Sequence, residues 1–173
     1  MFEGAQAKQI TKELRNAFKE SWRSYGFSAD SAWAWRVLEE MQQCVYLDRG
    51  TVFNELQLGV VLRFRKPGEV FDRPRFGFSS HVGLLIEALN TRRQSELHDA
   101  LSLEHAASLT WRIAVLREWC GQVILPWLEM HRTLKSITNQ IDPSTGHLSR
   151  PLVAGRSFYE FIGRFPRVWP LAP

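Results

Sequence analysis

The spacing of apolar positions changes repeatedly along this chain, and each change marks an element. From Ala7 to Tyr25, the residues Ile10, Leu14, Ala17, Phe18, Ser21, Trp22 and Tyr25 recur at helical spacing and share one broad face. Lys12, Arg15, Lys19 and Arg23 share the opposite face, so the segment reads as an amphipathic helix ending at Gly26. The period then drops to two. Trp33, Trp35 and Val37 alternate with Ala34 and Arg36; Gln43 to Asp48 carries Cys44, Val45, Tyr46 and Leu47; in Val52 to Phe64, Leu56, Leu58, Val60 and Leu62 share a face. Short links such as Arg49-Gly50 make these strands an antiparallel meander.

Arg65 to Phe78 reads as a loop, because Lys66-Pro67-Gly68 and Arg73-Pro74-Arg75 are turn chemistry. His81 to Leu89 fits either a strand or a short helix, with a strand followed by a turn at Asn90 preferred, and the polar Thr91 to Leu101 is left open between strand and helix. From Ser102 to Ile137 the helical period returns. Ala106, Leu109, Ile113, Leu116, Cys120, Val123, Ile124 and Trp127 form one stripe, and Trp111, Val115 and Trp119 a second. This predicts a long helix with Ser102 as N-cap, kinked or divided at Pro126. After Ile141 the period is lost, and Pro151, Pro166, Pro170 and Pro173 argue against regular structure. Phe158, Tyr159, Phe161, Ile162, Phe165 and Trp169 are nevertheless too apolar for a free tail.

The fold expected is a single α+β domain: an antiparallel sheet of roughly three to five strands, with the N-terminal helix and the long Pro-broken helix packed on one face. Residues 1–140 would form the domain, and 141–173 an aromatic extension packed on it or on a partner.

Composition narrows the class. Hydrophobic residues make up 45% and charged residues 23%, which fits a globular chain. The net charge of +4 tilts the choice of partner towards anionic surfaces. Cys44 and Cys120 lie far apart and read as buried free thiols in a reducing compartment. The N-terminus lacks a basic region followed by an apolar one, and no run approaches the roughly 18 apolar residues of a spanning helix, so a cytoplasmic protein without membrane contact is expected.

The order of elements resembles the DUF4304 group of small bacterial domains. The likeness is carried by Tyr25-Gly26-Phe27 after the first helix, Leu47-Asp48-Arg49-Gly50, the strand Asn54 to Val61, His81-Val82-Gly83-Leu84-Leu85, and Leu116 to Ile137 with its central Leu125-Pro126-Trp127-Leu128. It covers residues 10–138 and consists of packing motifs. It implies an α+β fold and brings no catalytic residues. Small domains of this kind are often similar to immunity proteins encoded beside bacterial toxins, a fold-level analogy.

Candidate chemistry is sparse. His81, His98, His105, His131 and His147 form no metal-ligand spacing. Ser79-Ser80-His81 lacks an elbow or an orienting acid, and Arg36, Glu39, Glu40, Asp48 and Glu55 read as cross-strand ion pairs. No catalytic, metal or cofactor site is expected. Arg117 falls on the apolar stripe, where it would snorkel or pair with an acid such as Glu55. Two surfaces read as partner-binding. One is the helix stripe Lys12, Arg15, Lys19 and Arg23. The other is the segment after the long strand, where Arg63, Arg65, Lys66, Arg73 and Arg75 alternate with Phe64, Phe71, Phe76 and Phe78. The leading expectation is a non-enzymatic immunity protein whose 63–78 loop occludes the active site of a cognate toxin with an acidic surface. A nucleic-acid-binding module using the same loop, an enzyme with an unrecognised site, and a homodimer formed through exposed Trp and Phe remain as alternatives.

Overall fold

The computed structural model describes residues 4–49, 54–65, 70 and 81–163. Helix α1 (Gly4–Ser24) buries Ile10, Leu14, Ala17, Phe18, Ser21 and Trp22, the face set by the apolar spacing. Gly26 closes it with φ 81°, a left-handed conformation that glycine adopts without a Cβ clash.

Among the described residues six strands follow in sequential antiparallel order: β1 (Ser28–Ala29), β2 (Trp33–Val37), β3 (Met41–Arg49), β4 (Leu56–Phe64), β5 (His81–Leu84) and β6 (Leu152–Ala154). Asp30 turns the chain between β1 and β2, its carboxylate accepting from the backbone of Ala32 at 2.9 Å and Trp33 at 2.8 Å. The register places Ala34 opposite Val45, Val45 opposite Val60, and Val60 opposite Leu84. This face, with Met41, Leu47, Leu56, Leu58, Leu62, Phe64 and Val82, forms one core with the apolar sides of α1 and the later helices.

The sheet exceeds the three to five strands expected, because β1 has two residues and β6 three, too few for an alternating pattern to register. The strand expected from His81 to Leu89 ends at Leu84, and Ile86–Leu89 winds as a 3-10 turn. The open segment 91–101 becomes a 3-10 turn and then helix α2 (Gln94–Leu101).

The long helix expected from Ser102 to Ile137 is in fact several pieces. Helix α3 (Leu109–Glu118) starts at Ser108, whose hydroxyl accepts from Trp111 N at 3.3 Å. Ser102 is not an N-cap: it bridges Glu55 in antiparallel fashion and ends α2, which leaves Ala106 exposed. Trp119–Ile124 then winds as a π-helix, with Leu125 N bonding the Cys120 carbonyl five residues back. Pro126 supplies the reason. It has no N–H, and its ring would strike the carbonyl four residues earlier, so a widened turn before it relieves the clash. Helices α4 (Leu125–Met130) and α5 (Leu134–Thr138) complete the run. Gln43, fully buried on β3, donates to the carbonyls of Leu128 at 2.8 Å and His131 at 2.9 Å and so closes α4. Glu40 accepts from Leu134 N at 2.9 Å at the start of α5.

The buried cation is also a different one. Arg117 is exposed and pairs with Glu20 at 3.2 Å, whereas Arg112 is 0% exposed. Its guanidinium donates to the carbonyls of Ala100, Ser102 and His105, with longer contacts to Asp99 and Ala107. Arg93 joins α2 to α3 through Glu118, and that hydrogen bond holds the Glu118 carboxyl below the usual carboxylate range.

The described part of the segment after Ile141, which ends at Gly163 and leaves Phe165, Pro166, Trp169, Pro170 and Pro173 outside it, is not wholly irregular. It contributes β6 and helix α6 (Arg156–Phe161), with Phe158 and Tyr159 buried in the same core. Tyr159 accepts from Leu148 N at 2.9 Å, and the Phe64 ring lies 5.4 Å from Phe158 and 6.0 Å from Phe161. Among the described residues, apolar content thus outweighed Pro151.

Candidate functional site

Lys8, Lys12 and Arg15 stand one helical turn apart on α1, and Arg49 meets them from the end of β3. Together they line a groove of about 540 Å³, completed by Gly4, Ala7, Thr11 and Asn16 of α1, Ser31, Asn54 and Leu103. No carboxylate is among the described residues that line it. Asp48 holds the cations from the side, accepting from Arg15 Nη2 at 2.7 Å and from the backbone of Arg49 at 2.8 Å. Arg49 Nη2 donates to Asn54 Oδ1 at 3.1 Å, which sets the guanidinium against the groove wall.

The electrostatics work against the helix and in favour of an anion. An α-helix N-terminus carries partial positive charge and is stabilised by acidic residues, yet the first turn of α1 has none, and Lys8 and Lys12 follow. Among the described residues, Arg15 alone of these four cations has an acidic partner, and Lys8, Lys12 and Arg49 are exposed. Amides at Asn16 and Asn54 and hydroxyls at Thr11 and Ser31 add hydrogen-bonding groups around the four charges. The arrangement can hold a carboxylate or phosphate group by charge-assisted hydrogen bonds.

The stripe expected on α1 is therefore divided. Lys12 and Arg15 face the groove. Lys19 and Arg23 lie about 10 and 16 Å farther along the axis at 1.5 Å per residue. Arg23 is committed to structure, donating to the Ala29 carbonyl at 3.0 and 3.2 Å. Lys8 and Arg49 were missed by the sequence reading. Lys8 had a signal, since it precedes Lys12 by four residues; Arg49 had none, because only strand pairing brings it beside α1.

Of the second expected surface, Arg63 is half-buried on β4 opposite Gln42, and Arg65 is exposed just beyond it, its N–H bonded to the Glu40 carbonyl at 2.9 Å. Phe64 points into the core, so it does not alternate with them as a surface aromatic. Lys66, Phe71, Arg73, Arg75, Phe76 and Phe78 lie outside the described residues, as do Ser79 and Ser80.

Other candidate groups have structural partners. Glu55 faces His98, with Nδ1 to Oε2 3.3 Å, and not Arg117; His105 faces Asp99 at 3.8 Å. His98 belongs to α2 and His105 to the loop after it. Arg36 spans Gln43 at 2.7 Å and Glu129, with its guanidinium 4.7 Å from the centre of the Phe27 ring. Both cysteines are free and buried. Burial pushes each thiol up to about 12; Arg63 near Cys44 and the Trp22 indole beside Cys120 oppose the shift without cancelling it. Among the described residues no three His, Cys, Asp or Glu side chains form a metal-sized group, and no helix is long and apolar enough to cross a membrane. No protein-family model, curated protein or solved structure matches this chain.

Proposed function

We propose that this chain is a non-catalytic binding protein that docks an acidic segment of a protein partner in the α1 groove. The observation that carries the reading is the convergence of Lys8, Lys12, Arg15 and Arg49 in one concavity without a lining carboxylate. Like-charge repulsion between Lys8 and Lys12, one turn apart on α1, is a local cost that a bound anion would offset. The groove is compact, and none of its described lining residues is aromatic, which favours a carboxylate-bearing peptide over a stacked single strand of nucleic acid. The concrete form of this reading is an immunity protein that occludes a toxin, and it rests on the resemblance of the packing motifs to DUF4304-type small bacterial domains and on the fold-level analogy of such domains to immunity proteins.

The test uses the full chain as bait in parallel samples with and without nuclease treatment, followed by binding measurements with the purified partner. The expected outcome is one stoichiometric protein, with affinity falling at least about tenfold in the K8E/K12E double variant, a loss of about 1.4 kcal/mol. Recovery of nucleic acid, with a log–log salt slope of about −3 to −4 for four phosphate contacts, would replace the reading with a nucleic-acid module. A partner indifferent to K8E/K12E would remove the groove from the interface.

A further inference from the structure

A second concavity lies across a narrow partition from the basic groove. The partition is the pairing of Glu55 with Ser102, reinforced by Leu103 N donating to the Asn54 carbonyl at 2.9 Å. Asn54 and Leu103 face the groove; Glu55 and Leu101 face the second cavity. This cavity has a volume of about 650 Å³, within the range of roughly 300–1,000 Å³ typical of small-molecule sites.

Its chemistry differs from that of its neighbour. No lysine or arginine is among the described lining residues. Its one carboxylate, Glu55, is mostly buried, and one of its oxygens is already engaged by the His98 imidazole at 3.3 Å. The apolar floor is covered: Leu56, Leu84, Ile86, Leu97 and Leu101 are all buried. What remains accessible is Gln57 from β4 and Gln94, Ser95 and His98 from α2, with Leu85 beside them. Primary amides and a carboxylate are planar forks with paired donor or acceptor atoms, the geometry that engages adjacent hydroxyl groups.

Tyr46 supplies an aromatic wall whose orientation is fixed. A Cβ at Gly59 would stand 2.1 Å from Tyr46 Cζ, so the ring occupies the space that any other residue would fill, and Trp33 holds it from the side at 5.3 Å between centroids. A ring locked in place beside hydrogen-bonding forks presents apolar and polar surfaces at right positions for a ligand with C–H and O–H faces.

We propose that this second cavity binds a neutral polyhydroxylated ligand, a mono- or disaccharide, against Tyr46 and Leu85, with Gln57, Gln94, Ser95 and the Glu55–His98 pair meeting its hydroxyls. The site is independent of the basic groove, and its ligand is not the acidic partner.

The test is saturation-transfer NMR of the intact chain with glucose, galactose, mannose, N-acetylglucosamine, maltose, cellobiose and lactose, each at millimolar concentration, then titration of the best responder. Gln57 and Gln94 are exposed, so Gln57→Ala and Gln94→Ala leave the fold intact. The expected result is transfer from at least one sugar, an affinity weakened about fivefold in each variant, and no change in Lys8→Glu. Absence of transfer from every sugar would overturn the proposal. So would an affinity untouched by both variants, or stronger binding of acetate or methylguanidinium than of any sugar.

Discussion

Replacing Arg112 by methionine removes a cation that closes the end of α2 from within the core. The side chain is fully buried, and its donors meet the Ala100 carbonyl at 2.8 Å and those of Ser102 and His105 more closely, with Asp99 and Ala107 at 3.4 Å. Carbonyls in the last turn of a helix have no partner within the helix, and here the loop that follows turns its own carbonyls inward as well. Burial pulls the Arg112 pKa down and the Asp99 carboxylate opposes this; the side chain stays charged at neutral pH because arginine ordinarily titrates above about 12. Methionine matches the length but takes their donor from the Ala100 and Ser102 carbonyls, each loss costing about 1–3 kcal/mol, while Ala107 N still donates to the His105 carbonyl at 3.0 Å; the cost is partly offset because no charge is then buried. The expected net loss is about 2–4 kcal/mol, a fall in Tm of roughly 4–16 °C for a chain of this size. Arg112→Lys should recover less than half, since one ammonium cannot reach carbonyls spread over residues 99–107. Thermal and urea unfolding followed by Trp fluorescence measure the loss, and hydrogen exchange locates it at the C-terminal half of α2 and the following loop. A loss below about 1 kcal/mol in Arg112→Met would refute the reasoning, because the carbonyls would then have found water or one another.

Two further predictions concern the core. Cys44 and Cys120 each titrate near about 12 when folded against 9.0 as ordinary thiols. A folded pKa raised above the unfolded one means that stability is intact below pH 9 and falls as pH rises, by about 1.4 kcal/mol per pH unit per thiol until the folded pKa is reached. Iodoacetamide at pH 8 should leave both thiols unmodified in the folded chain and alkylate both in urea; rapid labelling of the native protein would contradict their burial. Gly59→Ala should cost about 1–3 kcal/mol, because the new methyl group displaces the Tyr46 ring. Combined with Tyr46→Ala it should cost less than the sum of the two single changes, and additivity in that double-mutant cycle would disprove the ring-on-glycine contact.

Much of the helical and strand framework was legible because it obeys a period. The buried face of α1, the three central strands and the core side of β4 follow from apolar residues recurring at helical or alternate spacing, which is local information. A proline marked where the later helix must yield, although its form, a π-helical segment, required packing to reveal. Short or contact-defined features were not legible. β1 and β6 contain too few residues to show a period, and α6 follows prolines that are common in irregular segments. Arg112 and Arg117 look alike on a helical stripe; which is buried depends on where the carbonyls of residues 99–107 come to lie. Half of the candidate groove could be read from the positive stripe of α1, since Lys12 and Arg15 are helix neighbours. The other half could not, because Arg49 and Asn54 reach it only through strand pairing and the crossing of residues 54–55 with 102–103. The sequence alone determined the periodic elements and the charge of one helix face, since those depend on neighbours along the chain. Tertiary structure decided which cation is buried, which cations converge and which side chains share a cavity, since those depend on contacts between residues distant in sequence.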